Sequence, residues 1–99
     1  MKIFELQTNM TSFAGKQKKK YMDFIMNEDL TIPSTVQEIK YCLLAIRGIE
    51  RSDIVQHKDY ILNVAYEIYI KYFNNKSFVS IKSEFRNMLC WIDEALYMD

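Results

Sequence analysis

Few side chains in this 99-residue chain could carry covalent or acid–base chemistry, and they are spread along it. His57 is the one histidine, so any Ser–His or Cys–His nucleophile pair must use it. On a helical wheel it flanks an apolar stripe close to Val64 and Ile68, the setting of a half-buried packing residue. The two cysteines, Cys42 and Cys90, each fall inside an apolar helical pattern. They read as reduced, mostly buried thiols with no disulfide framework. One histidine and two distant cysteines do not make a closed zinc site, and no CxxC, HExxH, Glu-x-x-His or calcium-loop spacing occurs. Asp93 and Glu94 are adjacent on a helix, so their side chains diverge by about 100°, a poor geometry for joint acid–base work. Gly15 and Gly48 stand alone and build no phosphate-cradling loop. The expectation is a protein without catalytic, metal or cofactor sites, that is, not an enzyme.

Two other groups of residues point to recognition. "KQKKK" places Lys16, Lys18, Lys19 and Lys20 within five positions, between Phe13 and Tyr21 and Phe24. Such a cluster can neutralise phosphates while aromatic residues stack on bases. Against that, the chain is neutral overall, with 13 basic and 13 acidic residues. It also lacks arginine in the cluster, the side chain best suited to bidentate base and phosphate contacts. At about 100° per residue, Lys16, Lys19 and Lys20 share one side and Lys18 lies apart from them. The cluster therefore reads first as a solvated helix face that steers an acidic region of a partner, and second as the grip of a small nucleic-acid-binding regulator. It is too small, and its helix too engaged in the core, to suit a membrane surface.

The charge is polarised along the sequence: residues 1–20 carry a net +4 and residues 21–99 a net −4. In the acidic part, Tyr60, Tyr66, Trp91 and Tyr97 fall off the main apolar stripes and lie beside Asp59, Glu67, Asp93 and Glu94. Tyrosine and tryptophan dominate protein–protein hot spots. Tyr60, Tyr66, Glu67, Trp91, Asp93, Glu94 and Tyr97 are thus the candidate partner-binding residues. An acidic, aromatic surface suits a basic protein partner such as a nuclease toxin, and electrostatic steering would raise the association rate. The resulting expectation is a small cytoplasmic inhibitor or immunity-type protein that neutralises a toxin or enzyme by covering it.

The elements that must position these residues are helical. Two glycines and one proline are too few for an all-β domain, and 49% hydrophobic with 26% charged residues is a globular composition. No run of about 18 apolar residues suggests a membrane span, and "MKIFELQTNM" lacks the apolar core of a signal peptide. Periodicity predicts helices over 12–27, 35–47, 53–73 and 78–97 in one domain spanning 1–99. These form an all-α four-helix bundle with short connections and a short extended arm at residues 1–10. Thr11 or Ser12 is the expected cap of the first helix. Ser34 or Thr35 is that of the second, with Gln37 or Glu38 in capping-box register. In the third helix, Ile54, Ile61, Ala65, Ile68 and Tyr72 form one stripe, and Val55, Leu62, Tyr66, Tyr69 and Phe73 widen it beyond half the circumference. A helix this apolar either lies centrally or buries a second face against a partner, which includes a homodimer through that face.

Overall fold

The computed structural model describes residues 15–97, apart from the side chain of Ser77. The expected arm at residues 1–10 and the caps Thr11 and Ser12 lie outside that range, as does Phe13. Within it the chain is helical, with no strand among the described residues: α1 (15–26), α2 (Val36–Gly48), α3 (Arg51–Gln56), α4 (Lys58–Tyr72) and α5 (Lys82–Tyr97), the last entered through a 3-10 turn, Lys76–Ile81. The all-α class is as expected, but the helix count is five. The third expected helix is two, because the chain bends at His57 (φ −108°, ψ 26°), which closes α3 and opens α4. The expected start of the last helix at Phe78 is also moved, since Phe78–Ile81 belongs to the 3-10 turn and the α-helix begins at Lys82.

Each boundary has a local cause. Thr35 Oγ1 accepts the Glu38 N–H at 3.2 Å, so the second of the two expected caps is the one used for α2. Helix α1 ends in a reciprocal pair of backbone bonds, Glu28 N–H to Ile25 O and Asp29 N–H to Phe24 O, both 3.0 Å. That pattern requires a left-handed residue, usually glycine. Here it is Glu28, at φ 55°. Its carboxylate is drawn to the bend, with Oε2 at 2.9 Å from His57 Nδ1. Gly48 is overlaid by the end of the Lys18 side chain: a Cβ there would meet Cε of Lys18, a flexible and exposed group that can move aside. Lys18 thus lies across the C-terminal end of α2, where a cation complements the helix dipole.

The core is built largely of isoleucine. Ile25, Ile39, Ile46, Ile54, Ile61, Ile68 and Ile92 are buried, packed with Leu43, Cys42 and Met88, and no buried polar or charged residue occurs among the described residues. Helix α5 lies against α2 and α3, and Lys40 Nζ meets Glu84 Oε1 at 3.5 Å across the α2–α5 contact. The segment between α1 and α2 runs along α4 and is fastened to it at two points. Tyr60 Oη accepts the Leu30 N–H at 2.7 Å, and Tyr72 Oη donates to Pro33 O at 2.6 Å, where Lys71 Nζ also donates at 3.4 Å. Burial raises the hydroxyl pKa of both tyrosines.

Cys42 and Cys90 differ in kind. Cys42 is buried in α2, and burial pushes its thiol up to about 12, whereas Cys90 is exposed, so the expectation that both are mostly buried holds for one. In native protein a thiol reagent should therefore modify only Cys90, and both in denaturant. Because the Cys42 thiol titrates near 9.0 when unfolded and near 12 when folded, its contribution to stability is complete below about pH 9 and is lost as pH rises towards 12. Denaturation across that range should show falling stability. In Cys42→Ala the fall should be shallower from a lower starting point, and an unchanged slope would show that Cys42 is not the source. At Glu28, relief of a left-handed backbone, worth about 1–2 kcal/mol, outweighs an exposed ion pair worth about 0–1 kcal/mol. Glu28→Gly should thus be at least as stable as the native chain by urea denaturation, despite losing the contact with His57.

Candidate functional site

Most of the large apolar side chains left exposed among the described residues lie on α4 and α5. Helix α4 buries Ile61, Val64, Ala65, Ile68 and Tyr72 at helical spacing. A second row on the same helix, Leu62, Tyr66, Tyr69, Ile70 and Phe73, remains exposed, with Tyr66 at 64%, Ile70 at 60% and Phe73 at 51%. All of these but Ile70 are among the residues whose periodicity widens the apolar stripe, and the described fold covers only one side of it. Opposite them, Leu89 of α5 is also exposed. A groove of about 240 Å³ runs between the helices, lined by Leu62, Ala65, Tyr66, Tyr69, Phe85 and Leu89. Leu62 also lines a neighbouring hollow of about 220 Å³ with Val55, Lys58, Asp59, Leu96 and Tyr97. The two hollows form one apolar face from the α3–α4 bend to the start of α5. Aromatic rings stiffen its far end: Tyr69 lies over Phe73 at 4.5 Å between centroids and near Phe85 at 6.1 Å, and Phe78 meets Phe85 edge-on at 5.5 Å.

The seven candidate partner-binding residues divide into those facing solvent and those held internally. Tyr66 and Tyr97 are exposed and belong to this face. Glu67, Asp93 and Glu94 are exposed, and Glu67 accepts a long hydrogen bond, 3.4 Å, from Asn63 Nδ2 one turn earlier. Tyr60 and Trp91 have structural partners: the Tyr60 hydroxyl holds Leu30, and Trp91 Nε1 donates to Ile49 O at 3.0 Å. That bond ties α5 to the turn between α2 and α3. Sequence reasoning singled out Leu62, Tyr69 and Phe73 for the width of the stripe and as a face that a partner or a second copy could cover, without naming them among the candidate site residues, and it passed over Leu89 and Ile70 as exposed positions. The signal for Leu89 was masked, because it sits within the α5 core pattern and only the packing of α4 decides which edge of that pattern is covered.

The lysine cluster lies elsewhere. Lys16, Lys18, Lys19 and Lys20 are all exposed on α1. Lys20 borders an open basin of about 510 Å³ with Tyr21, Phe24, Pro33 and Glu38, and its Nζ is 5.5 Å from the Tyr21 ring centroid. Tyr21 itself is 4% exposed and packs edge-on against Phe24, so its ring anchors α1 and has no open face for a base. Burial, reinforced by the nearby Glu38 carboxylate, raises its hydroxyl pKa. Among the described residues, no group of three or more His, Cys, Asp or Glu is placed to hold a metal ion, and no helix is long and apolar enough to cross a membrane. His57 makes its polar contact with Glu28 and no nucleophile is recorded beside it. Comparison with known proteins finds no matching family model, no similar curated protein and no similar solved structure.

The division between internal and solvent-facing residues is measurable. Tyr60→Phe leaves the Leu30 amide without its acceptor and should lose about 1–1.5 kcal/mol of unfolding free energy. Trp91→Ala, which removes packing as well as the bond to Ile49, should lose about 3 kcal/mol or more. Tyr66→Ala and Tyr97→Ala should stay within about 0.5 kcal/mol of the native chain. A large loss at Tyr66 would show that it belongs to the core.

Proposed function

We propose that this chain is a non-catalytic protein-binding domain whose α4–α5 face is the binding surface. The observation that carries the reading is the row of large apolar side chains on α4, spaced as regularly as its core row and left uncovered by the fold. Small soluble proteins rarely leave a continuous apolar patch of this extent without a partner for it. Its make-up fits recognition, because tyrosine, phenylalanine and leucine line it and no charge lies within the groove. Partner recognition of this kind suits an inhibitor or immunity-type protein, which acts by covering its target and requires no catalytic group. Asp59 and Asp93 at one end of the face favour a target with basic residues around an apolar contact. The burial of Tyr21 weakens the nucleic-acid alternative, since one of the two rings expected to stack on bases, Tyr21, is committed to packing.

The product of the adjacent gene is the first partner to test, by titration calorimetry with the purified pair. Tyr66→Ala and Leu62→Ala should each weaken the complex about thirtyfold, as expected at a hot spot. Neutralising Lys18, Lys19 and Lys20 should leave its affinity within a few-fold. Tight binding that is unaffected at Tyr66 and Leu62 would remove this face from the function. Salt-sensitive binding to unrelated DNA or RNA that is abolished by the lysine substitutions would replace the reading with the nucleic-acid one.

A further inference from the structure

The α4–α5 face is matched to itself. On α4 its outward positions are Asp59, Leu62, Tyr66, Tyr69 and Phe73, separated by three, four, three and four residues. On α5 they are Lys82, Arg86, Leu89, Asp93 and Leu96, separated by four, three, four and three. Alternating steps of three and four place a row of side chains along a single seam that another helix can pack against. At about 100° per residue, Lys82, Arg86 and Asp93 all lie within about 60° of Leu89, which lines the groove. Asp59 lies about 20° from Tyr66 by the same measure. All four charged residues are exposed.

These charges are sorted by end. The groove pairs Tyr69 with Phe85 and Leu62 with Leu89, and the adjoining hollow pairs Val55 and Leu62 with Leu96 and Tyr97, so α4 and α5 run antiparallel. Lys82 and Arg86 therefore mark the end near Phe73, and Asp59 and Asp93 mark the end near the α3–α4 bend. Lys58 shares that end, lines the same hollow as Asp59 and lies about 20° round α4 from Tyr69. The face is thus basic at one end, apolar in the middle and of mixed charge, with two carboxylates and one lysine, at the other.

From this arrangement we infer that the face binds a second copy of the same chain. The two copies are related by a two-fold axis that lies in the face and crosses both helices. Such an axis sets α5 antiparallel on α5 and α4 antiparallel on α4. Centred between Leu89 and Cys90, it brings Arg86 of each copy to Asp93 of the other, because the two residues are equally far from that point. On α4, where Leu62 lies level with Leu89, the same axis crosses near Leu62, sets Leu62 beside its own equivalent and brings Lys58 of each copy towards Glu67 of the other. An isologous contact demands this kind of self-complementarity, and a face of uniform charge would forbid it. The area is also adequate. The eight large side chains involved, from Val55 through the α4 row to Leu89 and Tyr97, are 38–74% exposed. At about 200 Å² each when fully exposed, they offer on the order of 800 Å², the size of one side of a standard interface. The inference rests on the reading of this face as a binding surface. It adds that the resting occupant is a second copy, which a target must displace.

Sedimentation equilibrium of the native chain from micromolar to sub-millimolar concentration tests it. A reversible monomer–dimer equilibrium is expected. Arg86→Asp alone and Asp93→Arg alone should each raise the dimer dissociation constant about tenfold or more, because like charges then face each other twice. An equimolar mixture of the two variants should recover near-native association, since every pair in the mixed dimer is again opposite in sign. Far-UV circular dichroism will confirm that these surface variants fold. A chain that stays monomeric over the whole range overturns the second-copy inference, and leaves the face to a different protein as tested by calorimetry. A dimer indifferent to both reversals overturns it as well, by placing self-association on another surface.

Discussion

Burial of one side of α4 is the interaction on which the rest of the structure depends. Ile61, Val64, Ala65, Ile68 and Tyr72 fill the centre of an isoleucine-rich core, and this burial is the main term opposing the loss of chain entropy. The same helix organises the polar contacts. Tyr60 and Tyr72 hold the segment between α1 and α2 through Leu30 and Pro33, and the bend at His57 receives Glu28 from the end of α1. With α4 fixed on one side by these contacts, no described element covers its opposite side. The exposed face follows directly from the way the core is built.

Chemistry and recognition are separated in this fold. The interior holds no buried polar or charged residue among those described, and its one buried thiol is kept protonated by burial. What remains reactive or charged is at the surface, in two unlike regions. The lysines of α1 surround aromatic residues that are committed to packing. The α4–α5 face presents aromatic and aliphatic groups that make few internal contacts. The second arrangement is the one suited to burying another protein surface, because there the apolar area is still available.

Much of this was legible in the sequence. The scarcity of glycine and proline, the apolar spacings and the cap at Thr35 sufficed for an all-α chain and for six helix ends to within two residues, those at 26, 36, 48, 51, 72 and 97. The breadth of the 53–73 stripe was enough to show that one face would not be enough to absorb it. Other features were not legible, because they depend on residues distant in sequence. The break at His57 coincides with a contact to Glu28, 29 positions earlier, and nothing local to "VQHKDY" signals it. Tyr60 and Trp91 resembled surface aromatics on a wheel, yet backbone groups 30 and 42 positions away hold them.

The sequence by itself determined the helical class, the lack of any recognisable catalytic or metal-binding spacing, the polarised charge and the presence of two apolar rows on one helix. These are consequences of residue type and local periodicity, which do not require knowledge of neighbours. Only the tertiary structure decided which row is buried, which aromatic residues are spoken for, and that α5 runs antiparallel beside the uncovered row with its charges sorted by end. That outcome is set by packing. Two rows of similar hydrophobicity compete for one core, and the row that enters the shared hydrophobic cluster is buried while the other stays exposed.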